Sequence, residues 1–243
     1  MVLAFSECCL LQVRRMEDDV LAGLNGTLID GLEFCAKTYA AFERLRNVPD
    51  GPDRLRLRAT PAHKRLLEEL FPICRYVQTY YRPGRYISVR WVDGSQSFDA
   101  ELHQKGDHID GGYYPALAYL EATSAMHENE HWIWKLLSQR KPAFAPDGIS
   151  KQKGKPVQSV PVVFRNTSHV EAFVTIVLAQ IARKTEISYP ADTSLVVQCS
   201  LNSLYTPDDW NLLVHEVGCQ LPSHKFREIL MVDGVTEMAT SIR

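Results

Sequence analysis

The chain has 243 residues, 45% hydrophobic and 23% charged, with a formal net charge of −2. That balance describes a globular chain long enough to bury a core, as one large domain or one domain with a helical addition. It excludes a chain-wide basic field for holding nucleic acid, which would need a local patch; and with no run of about 18 apolar residues it offers no membrane span.

The start, MVLAFSECCLLQVRR, has a short apolar run without a basic region before it, so it does not read as a signal peptide. Residues 16–47 carry Leu32, Cys35, Ala36, Tyr39, Ala40 and Phe42 at helical spacing. NVPDGPD (47–53) is a loop. A second helix is predicted from Pro61, with Pro72 as a kink or break. From Tyr86 the period changes to two: YISVRWV is a strand, Asp93-Gly94 a turn, SFDAELHQ a second strand and PALAYLEAT a third. Residues 85–123 therefore read as an antiparallel three-strand meander.

A helix over 124–139 follows, then a basic, Pro/Gly-rich loop over 140–160. An amphipathic helix spans 168–184 with Ser168 as its cap. TSLVVQCSL is a buried strand, Thr206 and Pro207 open another helix, and Asp233-Gly234 turns a C-terminal hairpin. The fold class is α/β: a mixed β-sheet sandwiched by helices. Residues 1–55 form an N-terminal helical extension and residues 56–243 the α/β domain. The six cysteines (8, 9, 35, 74, 199 and 219) form no CxxC pair. That argues against a cysteine zinc site and for reduced, mostly buried thiols in a cytoplasmic protein.

The most motif-like stretch is His127-Glu128-Asn129-Glu130-His131, which satisfies HExxH. That pattern binds zinc when both histidines share one helix face and the Glu activates the metal-bound water. On a helical wheel at about 100° per residue, Met126, Ile133, Leu136 and Leu137 define the buried face. His127 and His131 fall on the flank, and Glu130 at the edge of the buried face. No Gly and third His follow, so a zinc hydrolase using His127, Glu128 and His131 is the least favoured function.

The paired strands carry more. Asp99 and Glu101 share one face of the second strand; Tyr119, Glu121 and Thr123 share one face of the third. If the strands pair, Asp99 and Glu121 converge, and two converging carboxylates need a proton or a cation. An all-oxygen pair with an open side suits Mg²⁺ or Mn²⁺, which can activate water against a phosphodiester. Glu121 sits in an almost uniformly apolar run, where a lone carboxylate is costly.

This order of a helix bearing acids, a meander with SFDAEL and YLEATSA, then a helix and a strand resembles the PD-(D/E)XK, or restriction-endonuclease-like, nuclease superfamily over residues 61–200. The resemblance implies a metal-dependent nuclease acting on DNA. Asp99 and Glu121 would be metal ligands and catalytic, with Glu69 as a third acid and Glu68 its rival. Thr123 stands where the family has lysine. It can hold a water but offers no positive charge; Lys135 or Lys105 could stand in. A decayed active site would leave a nucleic-acid-binding or interaction protein of the same fold. Arg140, Lys141, Lys151, Lys153 and Lys155 form the strongest basic cluster, suited to phosphates without reading sequence. Arg82, Arg85 and Arg90 add charge near the first strand. Trp132, Trp134 and Trp210 read as packing groups. A homodimer is compatible with this reading, a membrane partner is not.

Overall fold

The computed structural model describes residues 19–163, 167–199 and 206–242. Cys8, Cys9, the chain start and the end of the TSLVVQCSL strand lie outside the described residues. Seven strands hydrogen-bond in the order Leu28–Asp30, Tyr86–Trp91, Ala100–Lys105, Leu117–Ala125, Thr193–Cys199, Ile229–Asp233 and Ala239–Ile242, a mixed sheet with helices, as the α/β class requires. The chain forms two compact units. One comprises residues 1–122 and 190–193, the other residues 123–189 and 194–243. The division thus falls inside a strand, and the described residues 19–55 lie within the first unit.

In the first unit, β1 (Leu28–Asp30) lies antiparallel to β2 (Tyr86–Trp91), where a continuous helix was predicted. The local reason is the pair Asp30-Gly31. The Asp30 carboxylate accepts from Leu32 N at 3.0 Å and so caps α1 (Gly31–Arg46). A side chain at Gly31 would meet the Ile87 carbonyl at 2.7 Å and Val77 Cγ1 at 2.8 Å, so only glycine lets the chain turn there. After α2 (Gly51–Arg56) come α3 (Pro61–Arg65), a π-helical turn (Leu66–Leu70) and α4 (Phe71–Tyr80). The π turn is how the helix passes Pro72. Phe71 N–H donates to Leu66 O, five residues back, so the wider turn immediately precedes the proline, which lacks an N–H of its own.

β2 pairs antiparallel with β3 (Ala100–Lys105), and β3 with β4 (Leu117–Ala125), across the short helix α5 (Asp107–Asp110). The meander is as the alternation predicts, but Asp93-Gly94 is not a tight hairpin turn. Residues 92–99 form a longer connection because Asp93 is held by Arg65 at 2.8 Å and its N–H by Asn25 Oδ1 at 2.9 Å. Leu66, Leu70, Ile73, Val77, Ile87 and Leu102 are among the fully buried residues of this unit.

In the second unit, β4 runs on to Ala125 and α6 spans only Glu130–Ser138, so the predicted helix start at 124 is six residues early. A small hairpin of β5 (Ile149–Ser150) and β6 (Gln158–Ser159) lies within the basic loop. α7 (Ser168–Thr185) has Thr167 rather than Ser168 as its cap. β7 (Thr193–Cys199) is parallel to β8 (Ile229–Asp233), and β8 is antiparallel to β9 (Ala239–Ile242). α8 (Pro207–Cys219) opens with the capping box expected of Thr206, which accepts from Asp209 N while the Asp209 carboxylate accepts from Thr206 N. Apolar faces of α7 and α8 and strands β7 and β8 make one core: Phe173, Val177, Val197, Leu213, Val217 and Met231. Cys35, Cys74 and Cys199 are buried free thiols and Cys219 is exposed. No described helix is long and apolar enough to cross a membrane.

Candidate functional site

The acids of the first unit gather where β2 ends and β3 begins. Asp99 stands one residue before β3. Its N–H donates to Leu120 O at 2.8 Å and its carbonyl accepts from Val92 N at 2.9 Å. Its Oδ2 accepts from Ala122 N at 2.7 Å. The register pairs of these two strands begin at Ala100–Leu120, and the Asp99 N–H also reaches Leu120 O rather than Glu121 O. Glu121 is only 6% exposed, as the apolar run around it implied.

Glu69 completes the group from the helical side. Trp91 Nε1 donates to its Oε2 at 3.1 Å. Burial, and then the negative charge of Asp99, push the Glu69 carboxyl up to about 7; the Trp91 N–H and Arg65 oppose the rise. Glu68 is placed otherwise: it pairs with Arg58 at 2.6 Å and Lys64 at 4.0 Å. Of the two neighbouring acids, Glu69 is the one beside Asp99. Glu101 is engaged by Arg90, whose Nε donates to Oε2 at 2.9 Å, and by His103 at 3.4 Å.

The donors here are all carboxylate oxygens, and burial together with the charge of Asp99 raises one of them, Glu69, to about 7. That chemistry fits a hard divalent cation such as Mg²⁺ or Mn²⁺, which keeps several waters beside one or two carboxylates. Among the described residues no group of three or more His, Cys, Asp or Glu side chains is placed to hold a metal ion. Glu69 feels the charge of Asp99, and Asp99 bonds the backbone of Ala122, the residue after Glu121, so the three acids are not a preformed three-ligand set.

The residues offered for the missing lysine are not part of this group. Thr123, buried and two residues beyond Glu121 on β4, carries only a hydroxyl. Lys105 is at the far end of β3 opposite Tyr86, six residues from Asp99 and so roughly 20 Å along the strand. Lys135 lies in the second unit, its ammonium 5.3 Å from the centre of the Trp132 ring. Arg85, expected to add surface charge, is 1% exposed and stacks on Tyr114 at 3.6 Å.

The basic loop of the second unit folds into a pocket of about 380 Å³. Lys135, Lys141, Lys151 and Lys155 line it, with Trp132 and Leu136. Lys151 Nζ is 4.1 Å from the Trp132 ring centre. Lys153 and Arg140, from the same predicted cluster, do not line the pocket. Trp132 was expected to be a packing group and is instead a half-buried wall of this pocket. The sequence signal was present: Lys135 follows Trp132 by three residues, one turn along a helix.

HENEH does not form a zinc site. His127, Glu128 and Asn129 precede α6, so the two histidines are not one helical turn apart on a shared face. His127 Nδ1 accepts from Asn129 N at 3.1 Å, and His131 Nδ1 lies 3.2 Å from Glu128 O. The wheel that placed the histidines on a helix flank assumed a helix that begins too early. Glu130, the first helical residue, is 4% exposed, more buried than the expected edge position, while Leu137 is exposed.

No protein-family model, curated protein or solved structure matches the chain.

Proposed function

We propose that the chain is a metal-dependent phosphodiesterase of restriction-endonuclease-like architecture, cutting DNA with Glu69, Asp99 and Glu121 as its acids. One observation carries the reading: partial burial, and then the negative charge of Asp99, raise the Glu69 carboxyl to about 7. A carboxyl raised by burial and by a neighbouring carboxylate is the kind of perturbed group that functional sites use. The order helix, three-strand meander, helix and parallel strand supports the same reading.

When bound, Mg²⁺ or Mn²⁺ supplies the charge that acidifies a water and neutralises a phosphodiester oxygen. The residues do the rest. Asp99 is fixed by its backbone on both sides and by Ala122 N, so its carboxylate is presented without reorganisation. Glu69, its Oε2 engaged by Trp91, would give up its proton as positive charge arrives. Lys141, Lys151, Lys153 and Lys155 hold DNA phosphates. A cytoplasmic location and a homodimer belong to this proposal.

A second reading is favoured by Thr123 and by the use of Asp99 Oδ2 as a backbone cap. In it, the same fold binds nucleic acid without cutting. Mn²⁺ electron paramagnetic resonance separates the two. The nuclease reading expects bound Mn²⁺ in the parent protein and its loss in Asp99→Asn, Glu121→Gln and Glu69→Gln. Absence of bound Mn²⁺ in the parent at millimolar metal overturns it in favour of the second.

A further inference from the structure

We propose that the Trp132 pocket of the second unit is a binding site for a terminal phosphate, the dianionic phosphomonoester of a nucleotide or of a 5′-phosphorylated strand end. The inference deepens the nucleic-acid reading of the same basic loop and rests on it only for the strand-end source.

Four lysines converge on this one pocket, and no lining residue is a carboxylate. Among the described residues none of the four has an acidic partner, whereas Lys37 and Lys64 pair with Glu33 and Glu68. Four ammonium groups repel one another unless something gathers them. Part of the gathering is done by Trp132, whose ring attracts Lys135 at 5.3 Å and Lys151 at 4.1 Å. The remaining charge is left for a ligand. Two lysines come from α6 and the residues just after it, two from the loop that carries the β5–β6 hairpin, so the ligand closes one segment onto the other.

The size selects the class. A volume of 380 Å³ lies at the lower end of the range for small-ligand sites, enough for one nucleotide and too little for a duplex. The charge selects within it. A phosphodiester offers one negative charge per residue, a phosphomonoester close to two at neutral pH, and a compact group of lysines favours the more highly charged oxygen set. With its ring already approached by two ammonium groups, Trp132 acts as their anchor and as the reporter of binding.

Binding is measured by tryptophan fluorescence and calorimetry in EDTA, using the full chain carrying Asp99→Asn, so that cleavage plays no part. The probes are pyrophosphate, a nucleoside monophosphate, and one short single strand with either a 5′-phosphate or a 5′-hydroxyl. The phosphorylated strand is expected to bind at least roughly tenfold tighter than the hydroxyl strand. Pyrophosphate should compete with it, and each of Lys151→Ala and Lys155→Ala should cost roughly tenfold. Lys151→Arg should retain binding, which separates loss of charge from loss of fold. Competition by the free monophosphate at equal affinity assigns the site to nucleotides; weaker competition assigns it to strand ends. Equal binding of the two strands, or no binding of pyrophosphate at millimolar concentration, overturns the proposal. Neither result depends on whether the acids of the first unit cut DNA.

Discussion

Replacing Glu69 by Gln removes the charge and keeps the shape, including an oxygen to accept from Trp91 Nε1. In the folded chain the carboxyl titrates near 7, against 4.5 for the ordinary group. Between those pH values the folded state binds the extra proton, so stability falls as pH rises and the loss is complete above about pH 7. The full difference corresponds to about 3 kcal/mol. Solvent reaches part of the side chain and screens it, leaving about 1–2 kcal/mol. Urea unfolding across pH 4.5–8 is expected to show that fall in the parent and a flatter profile in Glu69→Gln. Above pH 7 the variant should be the more stable, with a Tm higher by roughly 3–6 °C. Mn²⁺ should recover the lost stability in the parent above pH 7 and do much less for the variant, because a cation stabilises only the ionised pair. Equal pH slopes in the two proteins would refute the claim that Glu69 is held protonated by burial and Asp99.

Arg85→Met leaves Gln104 Oε1 and Tyr76 OH without their donor, at 2.8 and 3.0 Å, and removes the stack on Tyr114. It should cost about 2–4 kcal/mol by chemical unfolding. Thr206→Ala breaks the capping box of α8 and should cost about 1 kcal/mol, read as a Tm lower by roughly 2–4 °C. His131→Ala should leave any Mn²⁺-dependent cleavage within about twofold of the parent; a loss near the hundredfold scale of a catalytic acid or base would reinstate HENEH as part of the chemistry.

The alternation in YISVRWV and PALAYLEAT made the meander readable, because side-chain period follows directly from a half-buried or buried strand. The capping box at Thr206 was readable because it is local: three residues satisfy one another. Where partners came from elsewhere in the chain, the sequence misled. Asp93-Gly94 looks like a hairpin turn, but Arg65 and Asn25 hold Asp93 and lengthen the connection. Gly31 lies within a helical pattern, yet its missing side chain is what lets α1 start against Ile87 and Val77. The helix carrying HENEH was drawn too long because Ser124 and Ala125 extend a central strand, a fact set by its neighbours rather than by propensity.

The acids divide the same way. Glu121 stood out as a carboxylate in an apolar run, and it is buried; the expectation that Asp99 meets it from the neighbouring strand came from period two alone. The choice of Glu69 over Glu68 needed tertiary structure. Only there does Arg58 take Glu68 while Trp91 and Asp99 surround Glu69. The loop lysines were visible as a charge cluster, but not the pocket, since Trp132 reads from sequence as a packing group and becomes a wall only once the loop is folded over α6.

The most direct measurement is cleavage of end-labelled DNA by the purified chain in millimolar Mn²⁺, beside Asp99→Asn and Glu121→Gln, with EDTA as the control. The parent should produce metal-dependent fragments, and each variant should lower the rate by roughly a hundredfold or more. An inactive parent, or variants that cut at the parental rate, would contradict the assignment of Glu69, Asp99 and Glu121 to a phosphodiesterase site.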